Sequence, residues 1–305
     1  MDTITSFLAS DIRTATPLLI AGLGILFSSR AGIVNVGTEG FMLVGALAGV
    51  VGSWLTNSSL LGSLFAMGVT VLLAAIFAFF VVYLRADQTV VGVAINTFAL
   101  GATTTLNRIL FGMNTSPPLI NVFDVVPIPG LSKIPIIGDA LFSQPLLTYL
   151  AFLSVPIAWF VMYKTHIGLK VRAVGENPRA CDTLGISVTK VRTGAILFSG
   201  ALAGLGGVFI SMGQLSFFTE DMVSGRGYMV LAAVVFGRNN PVGVMLATLI
   251  FGAGDALMYQ IQAAMSGVPY QFSMMLPYLI TLIAVCAFKS KTRPPAATGI
   301  PYVKE

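Results

Sequence analysis

Few side chains in this 305-residue sequence can do chemistry, and they gather in three places. The stretch GLKVRAVGENPRACDTLGISVTK (168–190) carries Lys170, Arg172, Glu176, Arg179, Asp182 and Lys190, six of the 29 charged residues in 23 positions. Two further segments, SSRAGIVNVGTEG (28–40) and SMGQLSFFTEDMVSGRG (211–227), set Asn35, Thr38, Glu39, Gln214, Glu220 and Arg226 among glycines. Asp255 stands alone in the apolar run LIFGAGDALMYQ. No G-x-x-x-x-G-K-[ST], G-x-S-x-G or H-E-x-x-H occurs, so the chain itself has no phosphate cradle, serine nucleophile or zinc helix. His166, beside Lys164, has no companions for a metal site, and Cys181 and Cys286 lie too far apart to suggest a disulfide or zinc framework. What is left is hydrogen bonding and ion pairing. Such chemistry suits the passage of a polar solute or the grip of a protein partner, not the making of bonds.

The elements that must hold these residues are membrane spans. Apolar residues make up 56% of the chain and charged residues 10%, with a mean hydropathy of +0.89; an ordinary soluble domain has about a quarter charged. Apolar runs lie near 14–29, 37–55, 60–84, 90–111, 145–163, 193–212, 224–236, 241–259 and 272–288, and several approach or exceed the ~20 residues that cross ~30 Å of hydrocarbon, 14–29 and 224–236 being short. The expected fold is all-α, one polytopic membrane domain over residues 1–305 with about nine spans (eight to ten). The run 224–236 is short enough to be half of a broken helix. The N-terminus, MDTITSFLASDIR, lacks a basic region followed by a long apolar one, so no cleaved signal peptide is expected. The loop 112–143, with Pro117, Pro118, Pro127, Pro129 and Pro135, reads as ordered coil lying on the external membrane face.

Orientation follows from basic residues. With loop 164–192 in the cytoplasm, alternation places Arg30, Arg85, Arg238, Lys289, Lys291, Arg293 and Lys304 on the same side. That side then holds 13 of the 17 basic residues, with the N-terminus outside and the C-terminus inside. The net charge of +5 is therefore topology rather than affinity for nucleic acid.

An internal repeat is visible. AGLG occurs at 21–24 and 203–206, and EGFMLVGA (39–46) resembles RGYMVLAA (226–233). An odd number of spans separates the copies, so they enter the membrane in opposite directions, the architecture of alternating-access transporters. The broken, polar segments occupy corresponding places in the two copies. Unwound backbone is tolerated at depth only where it lines a cavity or packs on protein, which makes Asn35, Thr38, Glu39, Gln214, Glu220 and Arg226 pathway candidates. Membrane-surface loops are the alternative, strongest for Glu220 and Asp221. Asp255 is either a functional group at depth or, roughly one turn from the outer end of its span, a cap or a residue facing a wet vestibule.

In the charged loop, Asn177 suits a helix N-cap, Pro178 the first helical position and Gly185 the C-cap. A short cytoplasmic helix over Pro178–Leu184 is predicted, with Arg179 and Asp182 exposed, Ala180 and Leu184 available to pack, and Gly175 allowing a sharp turn before it. Glu176 and Asp182 interleave with Lys170, Arg172 and Arg179, a pattern for a protein partner rather than for anionic headgroups. Three classes stay open: a permease driven by a separate subunit, a secondary transporter, and a channel. One Asp does not make a proton relay, and the charged loop favours the first.

GLKVRAVGENPRACDTLGI (168–186) resembles the coupling loop of ABC-importer permeases in the branched-chain amino acid, simple sugar and nucleoside permease family. AGIVNVGTEGFMLVGA (31–46) resembles that family's broken-helix motif; ADQTVVGVAINTFALG (86–101) and IPGLSKIPIIGDALFSQ (128–144) resemble its nucleoside-type branch, in particular the shorter of two paired permeases. The resemblance covers nearly the whole chain. It implies a subunit of a bacterial inner membrane, paired with a second permease, with cytoplasmic ATPase subunits that use the ATP and Mg, and with a substrate-binding lipoprotein. Carried over by motif, Glu176, Asn177, Pro178, Ala180 and Gly185 would seat the coupling helix in the ATPase, and Asn35, Glu39 and Asn96 would border the pathway. For a nucleoside, Phe41, Phe98 and Tyr228 would offer faces to a base. Simple sugars, branched-chain amino acids and riboflavin are the alternative cargoes. Cys181 stands where family members commonly have a small residue, and reads as tolerated variation.

Overall fold

The computed structural model describes residues 2–112, 120–127, 137–264, 275–277, 279–280, 282–283 and 294–303. Among these, helices α1 (Asp2–Arg30), α2 (Thr38–Thr56), α3 (Ser59–Ala78), α4 (Gln88–Phe111), α6 (Leu146–Lys164), α9 (Val188–Val208) and α11 (Pro241–Ala264) are long and apolar enough to cross a membrane. Helix α10 (Arg226–Phe236) is apolar but only 11 residues long, about 17 Å, half a crossing, as its sequence suggests. Single π-helical turns extend α3 over Phe79–Tyr83 and α9 over Phe209–Leu215. The first span is longer than the run 14–29, because the N-terminal residues join α1. The run 272–288 lies largely outside the described residues, as do Pro117, Pro118, Pro129, Pro135, Cys286 and the basic residues 289–293.

Where it is described, the loop 112–143 carries short regular elements. Strand β1 (Val125–Pro127) pairs antiparallel with β2 (Ser143–Pro145), and the short helix α5 (Ile137–Phe142) leads into β2. Tyr149 bridges the pair: its hydroxyl accepts from the Gln144 N–H and donates to the Val126 carbonyl, both at 3.0 Å. Of the five prolines only Pro127 is among the described residues, and it ends β1, where a missing N–H is harmless.

Glycine decides the packing. Lipid tails are as apolar as leucine, so helices in a bilayer associate through close van der Waals approach between small residues. At the crossing of α2 and α9, a Cβ on Gly45 would overlap the Gly204 backbone, and one on Gly207 would overlap the Met42 carbonyl. Between α2 and α3, a Cβ on Gly62 would stand 2.8 Å from the Gly49 carbonyl. The α1–α9 crossing carries the signature of the repeat. Gly24 packs on Ser199, while its counterpart Gly206 packs on Pro17, the counterpart of Ser199. Such reciprocal contact is what a two-fold relation between the copies produces. Helix α1 is central, with 89% of its apolar stretch buried, whereas only 22% of that of α4 is buried.

These crossings make a stability prediction. Gly45→Val or Gly207→Leu forces backbones apart and lowers stability by about 1–3 kcal/mol. Gly68→Leu, where a Cβ meets no described atom within 4 Å, leaves it unchanged. Thermal unfolding of the detergent-purified protein measures both.

Candidate functional site

The two broken segments converge. After Arg30 the chain leaves helix and rejoins it at Thr38; after Leu215 it rejoins at Arg226. The second break is strained, with Ser216, Asp221 and Ser224 all at positive φ (65°, 55° and 49°). Both helices that follow the breaks begin on glycine, Gly37 for α2 and Gly225 for α10, and neither glycine can cap with a side chain. The caps come from elsewhere. Glu39, 9% exposed, accepts from the Gly225 N–H at 2.8 Å and the Gly227 N–H at 2.6 Å. Asn96 of α4 accepts from the Gly40 N–H at 2.8 Å and donates to the Val36 carbonyl at 3.0 Å. The same amide donates to the Tyr228 hydroxyl at 3.0 Å. Each of these two helices thus has its positive N-terminal end satisfied by a side chain of another element. Gly227 permits it: a Cβ there would lie 2.5 Å from the Glu39 nitrogen.

This junction lies deep. Asn96 is eight residues, about 12 Å, along α4 from Gln88, and Ser199 eleven residues, about 17 Å, along α9 from Val188. Asn35, fully buried, donates to the Ser199 hydroxyl at 3.0 Å, while its Oδ1 has no partner among the described residues. Thr38 donates to the Asn35 carbonyl at 2.9 Å, fixing the turn into α2. Arg226 Nε stands 3.6 Å from Asp255 Oδ2, an ion pair longer than a hydrogen bond, and its Nη2 reaches the Tyr259 hydroxyl at 3.5 Å. Because α11 continues to Ala264, Asp255 is not one turn from a helix end; it is interior and paired.

The structure therefore brings together Asn35, Thr38, Glu39, Asn96 and Tyr228, with Arg226 and Asp255 alongside. Asn96 is half-buried and Tyr228 47% exposed; these two form the open edge. Phe41 presents no face to the junction. It is fully buried, edge-on to Phe77 with ring centroids 6.1 Å apart. Gln214 sits at the far end of α9 and donates to the Arg13 carbonyl at 2.7 Å. Glu220 is gripped by Arg108 through two bonds, at 2.7 and 2.9 Å, which holds its carboxyl below the usual glutamate range. Ser199 and Tyr259 join the junction without a local sequence signal.

On the basic side, the charged loop folds as α7 (His166–Glu176) and α8 (Pro178–Thr183). Asn177 caps α8 as expected, accepting from the Ala180 N–H at 3.1 Å, and Gly185 ends it at φ +78°. Gly175 does not make the turn. It lies inside α7, where a Cβ would overlap the Arg30 carbonyl. Ala180 and Leu184 face solvent beside Arg179, and Cys181 is the residue that packs inward, against Val174 and Val188. Its burial pushes the thiol pKa up. The segment 294–303 straps this platform: Ala297 N–H donates to the Gly175 carbonyl, Gly299 N–H to the Gly32 carbonyl, and buried Arg192 donates to the Ile300 carbonyl at 3.0 Å. Arg192 is thus anchored, not a loop residue.

A family model described as "Branched-chain amino acid transport system / permease component" matches residues 7–285. The chain is 38% identical to "Guanosine ABC transporter permease protein NupQ" of Bacillus subtilis (strain 168), over 95% of this chain and 94% of that protein. It is 36% identical to "Nucleoside ABC transporter permease protein NupC" of Lactococcus lactis subsp. cremoris (strain MG1363), over 100% and 98%. A second Bacillus subtilis protein, "Guanosine ABC transporter permease protein NupP", is 28% identical over 81% of this chain and 72% of its own length.

The trans-caps are testable. Glu39→Ala leaves two buried N–H groups without an acceptor and costs about 3 kcal/mol; Glu39→Gln, keeping one acceptor oxygen, costs about half. Melting temperatures rank the variants, and hydrogen exchange at residues 225–228 accelerates in Glu39→Ala while exchange in α6 does not change.

Proposed function

Because the chain belongs to the branched-chain amino acid transport system permease family, we propose that it is the membrane-spanning subunit of an ATP-driven importer whose cargo is a nucleoside. The observation that carries this reading is the trans-capped junction of α2 and α10 at mid-depth, opening at Asn96 and Tyr228. A nucleoside offers hydroxyls and ring nitrogens to Asn96 and to the Tyr228 hydroxyl, and a flat face to Tyr228 or to Phe98, which α4 holds 63% exposed. The relatives named for guanosine and nucleosides support the choice over a sugar, a branched-chain amino acid or riboflavin.

The remaining parts follow from the same reading. The little-buried face of α4 is covered by a second permease, and the two Bacillus subtilis relatives favour a heterodimer. The basic side is cytoplasmic, in a bacterial inner membrane, with the N-terminus outside. ATP and Mg are used by separate ATPase subunits that dock on Arg179, Ala180 and Leu184, and an extracytoplasmic lipoprotein delivers the cargo. A push on α8 travels through Cys181 to α7 and α9, through Gly175 to Arg30 and the strap, and through Gly32 into the loop that holds Asn35. In this way partner motion reaches the N-terminus of α2 along packed elements.

Three outcomes are expected in vesicles holding the full complex. Nucleosides stimulate ATP hydrolysis while sugars, branched-chain amino acids and riboflavin do not; stimulation by one of those instead reassigns the cargo. Gly185→Pro, impossible at φ +78°, and Glu176→Arg leave the chain inserted and paired but abolish stimulated hydrolysis. Asn35→Ala lowers uptake at least tenfold with ATPase assembly intact. Uptake that follows the proton gradient rather than ATP would replace the proposal with a secondary transporter.

A further inference from the structure

Between α1, α6, α7 and α9 runs a groove of about 620 Å³, within the size range of ligand pockets. Leu23 and Phe27 form its floor, Ile157 and Val161 one wall, Ala195 and Phe198 the other. Its lining is apolar apart from Ser154, whose hydroxyl donates to the Ala151 carbonyl, and the basic end, where Lys170 of α7 and Lys190 of α9 both border it. Its ligand must therefore be apolar along its length and anionic at one end.

The surroundings place that end at headgroup depth. Helix α7 turns Ile167 and Leu169 outward, 66% and 56% exposed, next to Lys170. Apolar groups so exposed beside a lysine are at home in the interface, half in hydrocarbon. Just before them, Lys164 lies over the Trp159 ring at 6.0 Å and Arg172 over the Tyr163 ring at 5.1 Å, the aromatic and basic belt of a membrane boundary. From there the groove leads inward toward Leu23 and Leu202. The wall recedes at Gly194, where a Cβ would meet no described atom within 4 Å.

We propose that this groove binds one anionic phospholipid, an acyl chain lying along Phe27 and Phe198 and the phosphate held by Lys170 and Lys190. Basic pockets between helices at the basic face of a membrane protein take such headgroups. A zwitterionic lipid would bring its own cation to the lysines and lose the pairing. The assignment is independent of what the protein transports.

Native mass spectrometry tests it on the full-length chain, extracted in mild detergent with whatever subunits accompany it. Phosphatidylglycerol and phosphatidylcholine of identical chains are added in turn. One phosphatidylglycerol is retained at least tenfold better than phosphatidylcholine, and millimolar inorganic phosphate does not displace it. Lys170→Gln and Lys190→Gln each lower retention about fivefold, and the pair removes the preference. Gly194→Trp fills the groove and abolishes retention of both lipids with the assembly unchanged. Equal retention in all variants, or displacement by free phosphate, overturns the proposal. So does loss of a protein subunit on Gly194→Trp, which would make the groove an interface between chains.

Discussion

An α-helix that begins inside a membrane leaves N–H groups that no water can satisfy, and this chain has two such beginnings facing one another. Gly37 and Gly225 supply no capping side chain. The bonds from Glu39 to α10 and from Asn96 to α2 are therefore conditions for the fold, not additions to it. They also fix distance: Glu39 reaches Gly227 only if α2 and α10 stand nearly in backbone contact. That proximity rests in turn on α2 lying close against α9 through Gly45, Gly204 and Gly207.

The same arrangement divides the molecule into a tight centre and a loose periphery. Around α1, α2, α9 and α10, glycine and alanine meet backbone and leave no room for a shift. Helix α4 touches this centre mainly through Gly92, Ile95, Asn96 and Ala99, and turns the rest of its surface away. A tilt of α4 would break few contacts but would carry Asn96, and with it the cap of α2. The position of α4 and the cap of α2 are thus tied to each other through one side chain, Asn96.

Much of this is legible in the sequence, because membrane spans, helix breaks and helix caps are local signals. The paired polar breaks, the repeat, and the Asn177–Gly185 helix follow from residue types at short range. Asn35, Thr38 and Glu39 stand out because polar groups beside glycine in an apolar chain are costly unless used. What is not legible depends on partners far away in the chain. Glu39 reads as a polar residue in a cavity, and only the fold shows its carboxylate bound to backbone 186 residues on. Phe41 reads as a base-stacking face but points into the core. Cys181 reads as tolerated variation, yet in three dimensions it is the anchor of α8. The pairing of Asp255 with Arg226 hangs on a helix continuing past a point where hydropathy weakens.

The strap has a consequence for how the protein is made. Residues 297–300 complete the surroundings of Gly32, Gly175 and Arg192, which belong to the first, seventh and ninth helical elements or their edges. A nascent chain can insert its early spans one by one, but the platform beneath α8 stays unfinished until residues 297–300 have left the ribosome and folded against it. Chains clipped before residue 297 would keep their spans but lose the bonds that brace Gly32, Gly175 and Arg192. The surface around α8 thus waits for a segment more than a hundred residues beyond Arg192.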